Sequence, residues 1–310
     1  MKKLLTIVSV VLILTTMLAA CATPTPTATQ APTEAPTVAT TEAPTAEPTP
    51  AGLTCAQPIK VGLITDLTGA LASYGEMTVR SFMLGMEYAA GAPGSAGEVF
   101  DYKTMQQNNF KIENCEVQVF VRDDASTPDL TTTVANQLID VEKVNILVGT
   151  ASSASTATLQ GIALQNKIPL IVAPAAANAI TGVNFNEYTF RVSRNNYQDA
   201  INECSALTKN YKKLIQIAVD NDFGKGSAAA FRDACTLQGA TFVADDIFAP
   251  LTTTDFTPYM EQIAKSSAEA YIVTWSGPGF VPLMKAADDQ GVTGKIALGT
   301  TFVNNAVMPA

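Results

Sequence analysis

The side chains that could do chemistry in this sequence are carboxylates and cysteines, because the 310 residues include no histidine. That absence excludes Ser-His-Asp and Cys-His nucleophilic centres and histidine-ligated metal sites. One carboxylate cluster, formed by Asp123, Asp124 and Asp129, follows a predicted strand. Helix capping and loop hydrogen bonding explain this cluster better than acid–base catalysis, since aspartate is a preferred capping residue. The sequence therefore predicts no catalytic residue and no metal site.

Motifs for nucleotide cofactors and activated serines are also missing. No Gly-x-Gly-x-x-Gly sequence or phosphate-loop lysine opens a predicted helix, and there is no Gly-x-Ser-x-Gly turn. The net charge is −9, and it becomes −11 if a leader containing Lys2 and Lys3 is removed. An acidic chain without a basic patch argues against nucleic acid as a partner. We therefore expect a protein that is not an enzyme and needs no cofactor.

The beginning of the chain predicts export. Lys2 and Lys3 precede an apolar stretch, residues 4–18, that is too short for a confident membrane span. The sequence Leu-Ala-Ala-Cys then resembles a bacterial lipobox, which makes Cys21 the predicted lipidated residue and residues 1–21 the signal peptide. The alternatives are an uncleaved anchor or a coincidental cysteine. We expect an extracytoplasmic protein, anchored by lipid at the periplasmic or outer face of a bacterial membrane.

A tether is predicted between this anchor and the folded part. Residues 22–54 consist mainly of Thr, Pro, Ala and Glu. Such a segment has too little apolar surface to offset the entropy lost on ordering, and its prolines keep it extended.

The remaining sequence alternates between strand and helix patterns, which predicts an α/β fold. Short apolar runs between helices are typical of parallel sheets covered on both faces. Two such series predict two doubly wound, Rossmann-like lobes, at residues 55–194 and 195–310. Ligands bind such sheets outside the carboxyl ends of the strands. The predicted strands are 59–64, 115–121, 144–148, 168–173, 214–219, 240–247, 270–275 and 295–298, and the clearest helices are 153–166, 227–237, 259–266 and 281–289.

Several stretches in this order resemble the type I periplasmic binding proteins, above all the leucine/isoleucine/valine-binding branch. They include 59–75 (IKVGLITDLTGALASYG), 144–156 (VNILVGTASSAST), 168–182 (IPLIVAPAAANAITG) and 255–275 (DFTPYMEQIAKSSAEAYIVTW). The resemblance implies two lobes that close on a small solute and deliver it to the permease subunits of an ABC transporter. It also implies a C-terminally truncated second lobe, since family members continue further. A ligand-sensing receptor is the alternative, because one fold serves several functions.

The resemblance implies that a ligand carboxylate is held at the start of the third helix. Ser153 matches the serine that binds it through its hydroxyl and backbone N–H, where the helix N-terminus favours an anion. The alternative role of Ser153 is a plain N-cap. Ala175, Ala176 and Ala177 match an Ala-x-Thr element, and they offer backbone contacts without the threonine hydroxyl.

Three aromatic side chains are implied at the same cleft. Tyr74 matches an aromatic residue that covers the ligand, although ordinary packing would also account for it. Phe223 matches a tyrosine of the second lobe and offers a ring without a hydroxyl. Trp275, the single tryptophan, ends a predicted strand and is expected to face the cleft, with the core as the alternative.

The expected ligand class follows from Thr301, where this sequence differs from the family's pattern. Amino-acid binders of the family carry a glutamate near this position to pair with the α-ammonium group, and Thr301 cannot supply that charge. Burying an ammonium without a compensating charge costs several kcal/mol. We therefore expect an acid or amide with an apolar body rather than a zwitterion. No cation is predicted nearby, so the helix N-terminus alone is expected to neutralise the anion.

Four cysteines besides Cys21 predict two disulfides, since exported proteins favour them. Cys55 and Cys115 precede or begin neighbouring strands, and Cys204 and Cys235 lie on helices that flank one strand. The predicted pairs are Cys55–Cys115 and Cys204–Cys235.

Overall fold

The computed structural model describes residues 52–94, 101 and 106–301. Cys21, the predicted signal peptide and nearly all of the predicted tether lie outside the described residues. The described residues form eleven strands and seven α-helices arranged around two sheets. We call the part built on the first sheet the first lobe, and the part built on the second sheet the second lobe.

The first sheet has six strands in the order β2-β3-β1-β4-β5-β6. Five of them are parallel, and only β2 runs antiparallel to its neighbour β3. The central strand β1 carries Leu63 and Ile64, which are fully buried because helices cover both faces of the sheet. The strands are β1 (Ile59–Thr65), β2 (Gln107–Ile112), β3 (Cys115–Asp123), β4 (Ile146–Gly149), β5 (Leu170–Val172) and β6 (Thr189–Arg191).

Three α-helices belong to this lobe. They are α1 (Ala72–Ala89), α2 (Pro128–Gln137) and α3 (Ser153–Asn166). Each one follows the carboxyl end of a strand, so all three begin at the same edge of the sheet. Helix α3 begins and ends at the residues that the sequence predicted.

The second sheet repeats this arrangement with the order β11-β10-β7-β8, and β9 also pairs with β7. All its pairs are parallel. The strands are β7 (Lys213–Val219), β8 (Thr241–Phe242), β9 (Ile247–Ala249), β10 (Ala270–Thr274) and β11 (Ala297–Gly299). The helices are α4 (Asn196–Leu207), α5 (Asp222–Leu237), α6 (Thr257–Lys265) and α7 (Phe280–Asp289). The predicted boundary at residues 194 and 195 falls in the segment between β6 and α4.

Both predicted disulfides are confirmed. Cys55 pairs with Cys115 and Cys204 pairs with Cys235. Cys115 begins β3, so the first bond lies at the amino-terminal edge of its sheet, whereas the second joins α4 to α5.

Some elements differ from the prediction. The strand predicted at 240–247 is two short strands, β8 and β9, separated by a turn. Strand β2 was not predicted, because its sequence QNNFKI is mostly polar and half of its residues are exposed at the edge of the sheet. No helix within the described ranges has both the length and the apolar character needed to cross a bilayer.

Candidate functional site

A cavity of about 420 Å³ lies between the two lobes, within the size range of small-molecule sites. Its walls are the segments that follow strand ends in both lobes, as expected for open α/β sheets. At its rim, Gly277 of the second lobe approaches Ala70 of the first, since a Cβ atom there would lie 2.8 Å from the Ala70 oxygen. The lining residues are Leu71, Tyr74, Ser126, Ala151, Ser152, Ser153, Ala154, Pro174, Ala175, Ala176 and Arg194, together with Asn221, Asp222, Phe223, Leu251 and Ser276.

The first-lobe wall contains the N-terminus of α3. The N-cap is Ser152, whose Oγ accepts from the Ser155 N–H at 3.4 Å, so the alternative role of Ser153 as the N-cap is wrong. Ser153 is instead the first helical residue, and its Oγ accepts from the Ala177 N–H at 3.2 Å. The N–H groups of Ser153 and Ala154 belong to the first turn, where no carbonyl of the same helix can accept from them. A carboxylate in the cavity could accept from these donors.

The three predicted alanines have two different positions. Ala175 and Ala176 line the cavity. Two backbone hydrogen bonds hold them in place: the Ala175 N–H donates to the carbonyl oxygen of Thr150, and the Ala176 carbonyl oxygen accepts from the Asn196 N–H. Ala177 is not among the lining residues described. It lies behind the wall, where its N–H fixes the orientation of Ser153.

Carboxylates brace the loops beside this wall. Asp66 Oδ2 accepts from the Ser126 hydroxyl at 2.7 Å and from the Leu71 N–H at 2.8 Å. Asp124 Oδ1 accepts from the Ser126 N–H at 3.0 Å. Burial raises the pKa of the Asp124 carboxyl, and hydrogen bonds from Ser126 and Thr131 oppose the rise. The geometry therefore favours loop bracing for Asp124, which holds the lining residue Ser126, and Asp66 outside the predicted cluster holds Ser126 and Leu71 in the same way.

The second-lobe wall is the N-terminus of α5. Asn221 is the N-cap, and its Oδ1 accepts from the Gly224 N–H at 2.9 Å. Asp222 and Phe223 form the first turn and line the cavity. The Phe223 oxygen accepts from the side-chain amide of Asn196 at 3.2 Å, so Asn196 contacts both walls. The N-termini of α3 and α5, one from each lobe, thus face the same cavity.

One cation in the wall was missed by the sequence analysis, which expected no cation near the anion. Arg194 lines the cavity; its Nη1 donates to the Pro174 oxygen at 3.1 Å, and its Nε lies 3.3 Å from Asp199 Oδ1. Arg194 was missed because it lies between two elements, where no periodic pattern marks it. The sequence did offer one indication, since Arg194 lies just after the end of a strand, where such folds bind ligands.

The position of Trp275 differs from the prediction, which placed this side chain in the cleft. Its side chain is fully buried in the core of the second lobe and packs edge-on against Phe256, with ring centroids 4.9 Å apart. Strand β10 ends at Thr274, and the next side chain turns toward the covering helices while Ser276 lines the cavity. Trp275 therefore belongs to the core and not to the cleft.

Thr301 is half-buried beyond the end of β11 and is not among the cavity-lining residues described. The reason is topological, since β11 is the edge strand and β10 separates it from β7. Of the remaining predicted ligand contacts, Tyr74, Ser153, Ala175, Ala176 and Phe223 come together in one cavity.

Solved structures with this fold include two from Rhodopseudomonas palustris. An ABC-type branched-chain amino acid transporter protein from strain CGA009 is 33% identical, with a TM-score of 0.57, and the match covers 78% of this chain and 62% of that one. A solute-binding protein of an ABC transporter from strain BisB5, in complex with 3,4-dihydroxybenzoic acid, is 26% identical with a TM-score of 0.63, covering 78% and 61%.

Among curated proteins, Leu/Ile/Val-binding protein homolog 6 of Brucella melitensis biotype 1 is 28% identical over 245 residues. The match covers 78% of this chain and 57% of that protein, so the chain spans less than two thirds of the length of such relatives. These similarities confirm the predicted α/β fold class and the predicted family.

The model of the periplasmic binding protein family matches residues 58–310, which is most of the chain. Proteins of this family act outside the cytoplasm as solute-binding components and not as enzymes, in agreement with the sequence-based prediction. The chain therefore belongs to the periplasmic binding protein family.

Proposed function

We propose that this protein is the solute-binding component of an ABC uptake transporter, and that it binds a small organic carboxylate with an apolar or aromatic body. The ligand is held between two lobes, residues 55–194 and 195–310, and is passed to permease subunits in the membrane. The observation that carries this proposal is the cavity between the lobes, which faces the N-termini of α3 and α5.

The lining chemistry supports a carboxylate. Helix N-termini present unpaired N–H groups and the positive end of the helix dipole, and Ser153 adds a hydroxyl whose oxygen is already fixed by the Ala177 N–H. Leu71, Phe223 and Leu251 supply apolar surface for the body of the ligand. This mixture of an apolar lining with a few placed polar groups is typical of small-molecule sites.

Known ligands of similar proteins agree with this class. The protein from R. palustris strain BisB5 binds 3,4-dihydroxybenzoic acid, and another from strain HaA2 binds p-hydroxybenzoic acid; both are aromatic carboxylates. The curated relatives are named for leucine, isoleucine and valine. An aromatic or branched aliphatic carboxylate satisfies the features that these ligands share.

A thermal-shift series tests the proposal. The purified chain is heated with benzoate, 4-methylpentanoate, their amides and leucine. A ligand at about one hundred times its Kd adds about 2.7 kcal/mol of stability. We expect both acids to raise Tm, and a series in which no acid raises Tm would contradict the proposed ligand class.

The membrane anchor is part of the proposal. Cys21 lies outside the described residues, and its role is supported by the Leu-Ala-Ala-Cys sequence after an apolar stretch. We expect a labelled fatty acid to mark the protein in growing cells and Cys21→Ala to abolish the label. Label that persists on the variant would remove the lipid anchor from the proposal.

A further inference from the structure

Among the described residues that line the cavity, Arg194 is the only cation, and its partners leave it available to a ligand. It lies between β6 and α4, and its side chain is 41% exposed. Its Nη1 donates to the Pro174 oxygen and its Nε pairs with Asp199, while the guanidinium lines the cavity. An arginine has five N–H donors in a planar fork, so these contacts leave donors for a carboxylate.

A second arginine, Arg191, lies close enough to Arg194 for the two charges to interact. The Arg191 guanidinium donates to the Ala177 oxygen at 3.0 Å and to the Thr181 hydroxyl. Both acceptors are neutral, and no carboxylate forms an ion pair with Arg191 within residues 106–301. Burial lowers the pKa of Arg191, and the nearby charge of Arg194 lowers it further. Asp199 therefore pairs with Arg194 alone, and Arg191 beside it is held by neutral acceptors.

The carboxylate of Asp199 has a hydrogen-bond donor on only one of its two oxygens. Its Oδ1 contacts Arg194, but its Oδ2 is buried and has no hydrogen-bond donor. Burial raises the pKa of the Asp199 carboxyl, and Arg194 only opposes that rise. Because burial disfavours the charged form of Asp199, this carboxylate is a weakened counter-ion for Arg194.

We propose that Arg194 determines ligand specificity by charge, selecting a carboxylate over the uncharged amide of the same shape. The inference rests on the proposed function and assigns this discrimination to one side chain. Helix N-terminal donors can bind the oxygen of either a carboxylate or an amide, whereas a guanidinium favours the carboxylate through its full charge. A purely structural Arg194, tying Pro174 to Asp199, would not distinguish the two ligands.

The test compares matched ligands by calorimetry. Benzoate and benzamide, then 4-methylpentanoate and its amide, are titrated into the wild type, Arg194→Gln and Arg80→Gln. Arg80 lies on α1 with a side chain that is 58% exposed, so its variant makes the same change in net charge away from the cavity. We expect Arg194→Gln to weaken acid binding 10- to 30-fold and amide binding less than 3-fold, with Arg80→Gln like the wild type.

Asp199→Asn provides an independent check with the opposite sign. Removing this carboxylate leaves Arg194 without its competing anion, so acid binding should tighten at least 3-fold while amide binding stays constant. Equal losses for acid and amide in Arg194→Gln, or weaker acid binding in Asp199→Asn, would overturn the inference and leave the proposed function standing. A wild type that binds neither member of either pair would instead contradict the proposed function.

Discussion

The two lobes share a feature, an aromatic residue followed by glycine. In each lobe it lies at the start of the helix that follows the first strand of the sheet. In the first lobe this is Tyr74-Gly75 on α1, and in the second it is Phe223-Gly224 on α5. A Cβ atom at Gly75 would lie 1.5 Å from the backbone carbonyl oxygen of Asp66, and one at Gly224 would lie 1.9 Å from the backbone carbonyl oxygen of Val219. In each lobe, glycine lets the helix approach the end of the strand, and the aromatic residue before it lines the cavity.

The lobes differ in what holds these helix starts in place. In the first lobe, Asp66 binds Leu71 and the distant Ser126, and Asp123 accepts from the Leu67 N–H, so partly buried hydrogen bonds join two loops. In the second lobe the helix start is held by the Asn221 cap, by the Asn196 side-chain amide that donates to the Phe223 oxygen, and by an exposed ion pair between Asp220 and Lys225. We infer that the first lobe carries a preformed recognition wall and that the second lobe supplies its cover.

The largest expected effect is on stability, and it comes from the glycine of this shared aromatic–glycine pair. Gly75→Ala and Gly224→Ala place a methyl group against backbone, which cannot move aside as a side chain can. We expect each to lower the free energy of unfolding by about 3 kcal/mol or more, as for severe overpacking, measured by urea denaturation.

Gly85→Ala is the matched control, because Gly85 is also on α1 and a Cβ there meets nothing within 4 Å. Alanine in a helix interior is favoured over glycine by about 0.5–1 kcal/mol, so this variant should be stabilised. If all three substitutions had the same effect, the close approach would not be the reason for these glycines.

The next effect tests whether recognition belongs to the first lobe. Ser153→Ala removes the hydroxyl at the start of α3, and we expect benzoate binding to weaken by about 1.5–3 kcal/mol, the range for hydrogen bonds to charged groups. Calorimetry measures it, and Thr158→Ala on the same helix is the control. Unchanged binding in Ser153→Ala would move recognition away from the first-lobe wall.

A smaller, pH-dependent effect probes the bracing carboxylates. Because the pKa of Asp124 is raised in the folded protein, folding favours the protonated carboxyl, and that contribution is lost as the pH rises from about 4 through the folded pKa. Asp124→Asn removes the titration, so its stability relative to the wild type should improve as the pH rises. Urea denaturation across pH 4–8 measures this. Asp129→Asn, at an exposed position on α2, is the control, and parallel profiles for both variants would contradict the explanation.

The smallest effect concerns the cover. Asp222 is an exposed carboxylate in the second-lobe wall. Exposed ion pairs contribute about 0.2–1 kcal/mol, and we expect the repulsion between Asp222 and a bound carboxylate to be of the same order. Asp222→Asn should therefore tighten benzoate binding slightly in calorimetry. Weaker binding of leucine by this variant would identify Asp222 as an ammonium partner and make the cover a recognition wall as well.

Periodic features were predictable from the sequence. The limits of α3 follow from its serine-rich start and its helical pattern, and the strand–helix alternation gives the fold class. Trp275 was placed wrongly because the end of β10 decides its direction, and one residue reverses the face of a strand. Arg194 was missed because its position depends on a contact with Pro174, which only the tertiary structure brings to it.

The central claim, that the cavity recognises an organic anion, is tested most directly by calorimetric titration with leucine and its deaminated analogue, 4-methylpentanoate. The two ligands share a carboxylate and a branched body and differ in the α-ammonium group. The N-termini of α3 and α5 and the Arg194 guanidinium line the cavity and favour a bound anion, so 4-methylpentanoate should bind more tightly. Tighter binding of leucine would contradict the account, because the site would then recognise an ammonium group.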